Sequence, residues 1–217
     1  MKESIREMRD RVEKEMIDIL KTYGVHGFSL YLIGLVSGWG EFMNEKKFAE
    51  IKKLGFKKGI AYSHAVIGSI YMKREMYDVA LKHLLPSMKW AEDVHSNEDM
   101  AEAYQLVSRI YSAQKFYKEA LEYNLKELAV LEKTGHPQHI AACYMGVGGK
   151  YDELGQYDKG LDYLMKSLQM RQSMHDSAGM VFSLTFLGTH FRNIKNYRQA
   201  LMYYSASKKI SDRLGMF

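Results

Sequence analysis

The chain has 217 residues, enough for a substantial core or a repeat array, and carries a net charge of +5 with 26% charged and 12% aromatic residues. Its single cysteine, Cys143, excludes an intramolecular disulfide and a cysteine-cluster metal site. Only two prolines interrupt it, so long stretches are free to form helices.

The N-terminal stretch MKESIREMRDRVEKEMIDIL is charged throughout and lacks the apolar centre of a secretory signal. Ile5, Met8, Val12, Met16, Ile19 and Leu20 share one face, which predicts an amphipathic helix ending near Gly24. The most apolar run, Phe28 to Val36, is too short for a bilayer, which takes about 20 apolar residues. A cytoplasmic protein is the expectation. Residues 1–58 form an N-terminal helical segment, and residues 25–55 within it read either as a degenerate copy of the repeat that follows or as a cap upon it.

From residue 59 the chain repeats itself every 40 residues. YMKREMYDVAL at 71–81 returns as YSAQKFYKEAL, YDELGQYDKGL and FRNIKNYRQAL. Tyr77, Tyr117, Tyr157 and Tyr197 occupy one column, Leu81, Leu121, Leu161 and Leu201 another. Gly68, Ser108, Gly148 and Gly188 form a column of small residues, as do Ala80, Ala120, Gly160 and Ala200. Apolar spacing of i, i+3, i+4, i+7 on both sides of a short connector gives two amphipathic helices per repeat. The small columns let the two backbones approach, and the rings at 71 and 77 are expected to fill the space around them. First helices are predicted at 60–73, 100–113, 140–153 and 180–193, second helices at 77–94, 117–133, 157–174 and 197–213. HSNED, TGHPQ and HDSAG are polar spacers between repeats. One hairpin cannot bury its apolar face alone, so copies stack into a shared core.

These columns resemble the signature of the tetratricopeptide repeat, over residues 59–217 (59–98, 99–138, 139–178, 179–217). Forty-residue versions resemble those of kinesin light chains, LGN-type adaptors and bacterial Rap-type regulators. The resemblance implies an all-α, right-handed superhelical solenoid of antiparallel helix pairs whose first helices line a concave face. It implies that partners dock at Tyr62, Ser69, Met72, Glu102, Gln105, Arg109, Met145, Gly146, Gly149, Asp152, Phe182, Phe186 and Thr189. A carboxylate clamp of Lys, Asn and Arg is missing, since the matching positions hold Ala65, Ser69, Glu102, Leu106 and Gly146. An asparagine ladder is missing too. Gly146 and Gly149 suggest a hollow for a partner's bulky side chain, flanked by Met145 and Phe186 and oriented by Arg109 and Asp152.

Residues 146–150, GVGGK, lack the spacing of a phosphate-binding loop, because Tyr151 follows the lysine. His95, His136, His139 and His175 fall in spacers and read as solvated turn residues. Cys143 sits in a tight packing column and reads as a buried thiol. No catalytic constellation, metal site or cofactor is expected. The reading is a non-catalytic protein–protein interaction module, an adaptor or sensory part of a signalling protein, gripping a peptide or helix of its partner. Alternatives are a Rap-like sensor of a short peptide and nucleic-acid binding through the basic ends. Residues 180–217, with six basic residues and one acidic, carry much of that excess. The last apolar face has no polar capping helix after it, so the expectation is either a piece of a longer protein or a neighbouring molecule over that end, as in a homodimer.

Overall fold

A computed structural model describes residues 57–216, with side chains from His64 onward. The helix ending near Gly24, the degenerate repeat or cap at 25–55, and the side chain of Tyr62 lie outside the described residues. Eight helices run through the described residues: α1 (Lys57–Lys73), α2 (Tyr77–Asp93), α3 (Asn97–Ala113), α4 (Tyr117–Thr134), α5 (Pro137–Glu153), α6 (Tyr157–Ser173), α7 (Ser177–Asn193) and α8 (Tyr197–Leu214). Each odd-numbered helix packs against the next as a hairpin. The chain divides into two compact units at Ser96 and Asn97. The first contains the α1–α2 hairpin. The second contains α3 to α8, with α4 packed on α5 and α6 on α7.

The first helices begin three residues earlier than their periodicity predicts. Asn97, Pro137 and Ser177 already stand inside helices, so the later part of each polar spacer is a first helical turn. Proline is favoured there because its missing N–H has no intrahelical partner to lose. Asp176 accepts a hydrogen bond from the Gly179 amide (2.8 Å) and caps α7. The same carboxylate takes Arg171 at 2.7 Å, tying the end of α6 to the start of α7.

The corners follow a rule at half the repeat length. Residues 75, 95, 115, 135, 155, 175, 195 and 215 all have left-handed backbone, with φ between 52° and 72°. Between the helices of each hairpin, the residue after the left-handed one bonds back five positions, as Phe116 N–H to Tyr111 O at 2.8 Å and Asn196 N–H to Phe191 O at 2.8 Å. This closure satisfies carbonyls that the helix end would leave bare.

Inside each hairpin the small column does what its spacing predicts. A Cβ on Gly68 would stand 2.5 Å from Leu84 Cγ, on Gly148 2.8 Å from Leu164 Cγ, and on Gly188 2.6 Å from the Tyr204 ring. The ring arrangement differs from expectation. The aromatics at 71, 111, 151 and 191 stack on His83, Tyr123, Tyr163 and Tyr203, with centroids 5.8, 5.6, 5.6 and 5.3 Å apart. His64, Tyr104 and Tyr144 extend these stacks from the first helices. The tyrosines at 77, 117, 157 and 197 stay outside them, and Tyr197 is 65% exposed.

Candidate binding cleft

In the second unit α5 and α7 touch each other directly, whereas α6 and α8 do not. The first helices therefore lie on the inner side of the curve. α3 and α5 make no such contact. The difference follows from side-chain size. Between α5 and α7 the Phe186 ring lies over Gly149, 3.1 Å from where a Cβ would stand, and Met145 packs against the core of Leu164, Leu184 and Leu187. Between α3 and α5 the matching pair is Gly146 on α5 and Arg109 on α3, with Ala142 one turn before Gly146. A cleft of about 520 Å³ opens there.

Its walls are Glu98, Ala101, Glu102 and Gln105 of α3 and His139 and Ala142 of α5, with His136 at the entry to α5. Its floor is Glu127, Leu131 and Thr134 of α4. Glu127 is 3% exposed. It accepts hydrogen bonds from Asn124 Nδ2 (3.1 Å) and Gln105 Nε2 (3.3 Å). Burial pushes its pKa up to about 7, against the pull of hydrogen bonds from Asn124, Cys143 and Gln105. Glu102 lies on the rim, where desolvation first and Asp99 second raise its pKa. Cys143 is buried with its Sγ 3.4 Å from the Asn124 carbonyl, and burial, then the Glu127 charge, push the thiol upward. His136 stands 4.0 Å from Glu98 at the mouth.

The expected docking residues separate into three groups. Glu102 and Gln105 line the cleft. Arg109, Phe182 and Phe186 are exposed on α3 and α7, the phenylalanines by 48% and 38%. Thr189 on α7 meets the Tyr204 hydroxyl at 2.9 Å. Ser69 is half-buried in the first unit and donates to the Val66 carbonyl at 2.7 Å. The third group needs correction. Met72 and Asp152 are buried, so neither presents its side chain to a partner. Asp152 instead bonds His190 Nδ1 at 2.8 Å, across repeats, and its carboxylate fills the space that a Cβ on Gly160 would need. That explains glycine at 160 where the other copies have alanine. The hollow at Gly149 is also corrected, because the chain's own Phe186 fills it. Gly146 faces Asn124, 3.5 Å from the place of its absent Cβ.

Glu127, His136 and His139 were not among the expected docking residues. One signal for Glu127 was available: it is the single acid in a column of Ser87, Ser167 and Ser207.

Residues 99–173 match the tetratricopeptide repeat family. Together with four hairpins in one register, this decides the class. Residues 99–173 are tetratricopeptide repeats, and the same helical hairpin recurs before and after them. Among solved structures it is similar to BtubC (BKLC) from P. vanneervenii, at 14% identity over 97% of this chain and 91% of that one, TM-score 0.70. It is similar to the apo form of RapI at 18% identity and TM-score 0.72, covering 94% of this chain but only 60% of RapI's length. A putative kinesin light chain with nearly identical repeats from Podosopora anserina aligns in two structures at 13% and 12% identity, over 93–95% of each chain, with TM-scores 0.64 and 0.61. No curated protein matches the sequence. At these identities the likeness is one of fold. Tetratricopeptide arrays are in general interaction modules for proteins. No helix among the described residues is long and apolar enough to cross a membrane.

Proposed function

We propose that the chain is a non-catalytic recognition module that binds a peptide or helical segment of a partner protein along the inner face of α3, α5 and α7. The observation that carries this reading is the pairing of an open cleft between α3 and α5 with two exposed phenylalanines on α7. A recessed polar site beside a raised apolar one suits a segment with one polar and one apolar anchor, the usual composition of a groove ligand. The backbone of such a ligand would pass Arg109 and Gly146.

A peptide-sensing role has one observation in its favour. A Rap protein in complex with competence and sporulation factor shares the fold, at 13% identity and TM-score 0.63. Self-association belongs to the same proposal. On α8, Leu201 is 68% and Met202 55% exposed, whereas Leu121 and Leu161 in the same column are half-buried.

The test uses the intact chain as bait, beside an Arg109→Ala/Phe186→Ala variant with an unchanged thermal melt. A partner retained by the first and lost by the second is then purified and titrated directly. The reading predicts a loss of affinity of at least about tenfold in that titration. A partner bound equally by both places recognition elsewhere. Affinity that falls steeply with salt and is competed by nucleic acid would favour the basic ends instead.

A further inference from the structure

The four repeats are one design built four times, so three of them are a control for the fourth. At the floor position beneath each first helix the template uses serine. Ser167 shares a hydrogen bond with Ser183 at 2.8 Å, and Ser207 donates to the Val181 carbonyl at 2.9 Å. Both are buried, and neither is charged. The second repeat places Glu127 there. One turn earlier the template buries Leu84 or Leu164 completely, and the second repeat places Asn124. Asn124 then donates to Glu127. A third change accommodates the second: Ser108 stands where glycine makes room for the larger leucine.

The buried acid is unfavourable for packing. A buried carboxylate loses its hydration, and without a cation it recovers only part of that loss from neutral donors. Among the described residues no lysine, arginine or histidine forms an ion pair with Glu127. Of the three, Glu127 lines the gap between α3 and α5 and makes it acidic, and Asn124 holds it there. Glu102 adds a second carboxylate to the wall, where the template column holds Ala142 or Phe182. Desolvation raises the pKa of both groups, the condition that a bound positive charge would reverse. The cleft volume, about 520 Å³, falls within the roughly 300–1,000 Å³ of ligand sites. No group of three or more His, Cys, Asp and Glu among the described residues is arranged to hold a metal ion.

We propose that this cleft is a subsite for one cationic side chain, a lysine or arginine of the partner segment, whose charge is received by Glu127 at the floor and Glu102 at the wall. Gln105, already bonded to Glu127, is placed to accept from the same group through its carbonyl oxygen. The assignment rests on the inner-face reading above and names the chemistry of its polar anchor. The apolar stem of the cation lies against Leu131 and Ala142.

The test isolates that anchor from any partner. The isotopically labelled full chain is titrated with butylguanidinium chloride and with butylammonium chloride at constant ionic strength, and amide shifts are followed. 1-Butanol and sodium butyrate serve as controls for the stem and for an anion. Saturable shifts at Glu102, Gln105 and Glu127 are expected with a cation and not with either control. Glu102→Gln, on the rim, should weaken binding by itself. A Glu102→Gln/Glu127→Gln variant that keeps the wild-type helix content and a cooperative melt should weaken it by about tenfold or more, as loss of charge-assisted bonds requires. Equal shifts from 1-butanol, no saturable shift with either cation, or cation binding unchanged in Glu102→Gln would each overturn the assignment. Failure here with partner capture still lost in Arg109→Ala/Phe186→Ala removes the cation subsite and leaves the inner-face reading standing. Cation binding with partner capture unchanged in that variant does the reverse.

Discussion

Glu127 shows how a single side chain sets a measurable property. Its pKa rises from 4.5 in an open chain to about 7 in the fold. The folded form therefore holds its proton more tightly than the unfolded one. Stability from this group is greatest below pH 4.5 and is lost as pH climbs through about 7. The groups facing it are Gln105 from α3, Asn124 on its own helix and Cys143 from α5, with Glu98, Glu102, His136 and His139 lining the same cleft. Of these, Glu102 is shifted in the same direction. Glu127→Gln should remove a pH-dependent loss of up to about 3 kcal/mol between pH 5 and 8, estimated at 1.36 kcal/mol per pKa unit. Urea unfolding of both proteins at four pH values measures this, and parallel curves would contradict it. Glu127 was legible in the sequence as an odd residue in its column. That it lies beneath a cleft was not, because the cleft depends on Ala142 being small and on α3 standing away from α5.

At the scale of the helix, the hairpin corners are legible in the sequence almost to the residue, and the junctions between repeats less so. Tyr77, Tyr117, Tyr157 and Tyr197 mark the second helices, each of which begins at its tyrosine. The first helices start where capping chemistry puts them, at Asn97, Pro137 and Ser177, rather than where apolar periodicity begins. The stacked rings follow a column outside the eleven-residue phrase, position 83 and its equivalents, where His83, Tyr123, Tyr163 and Tyr203 carry the pattern. The left-handed corners support a prediction at this scale. Gly135, Gly155 and Gly215 adopt φ of 63–72° freely, whereas Lys115 and Lys195 hold 64° and 63° with a Cβ present. Lys115→Gly and Lys195→Gly should each stabilise the chain by about 0.5–1 kcal/mol, the strain relieved exceeding the added freedom of the unfolded chain. Gly155→Ala should lower stability by a similar amount. Denaturant midpoints at constant m-value distinguish these outcomes.

For the molecule as a whole, the class and the forty-residue period were plain in the sequence, because each hairpin repeats the packing of the last. The uneven spacing of first helices was not. It arises from pairs such as Phe186 with Gly149, which lie 37 positions apart and have no local signature. The exposed face of α8 makes a prediction about assembly. Leu201→Glu should shift a dimer towards monomer in light scattering at micromolar concentration, while leaving helix content unchanged; a wild-type chain that is already monomeric would remove that interface.

The left-handed corners also bear on how such a chain can vary in length. Because they recur at residues 75, 95, 115, 135, 155, 175, 195 and 215, any cut at one corner meets any other forty positions away with matching backbone geometry. Removing 136–175 would bring Ser183, heir to the place of Cys143, against Glu127. A whole cassette could thus be lost or duplicated without a frame error in the architecture, and the acidic floor would acquire a new ceiling.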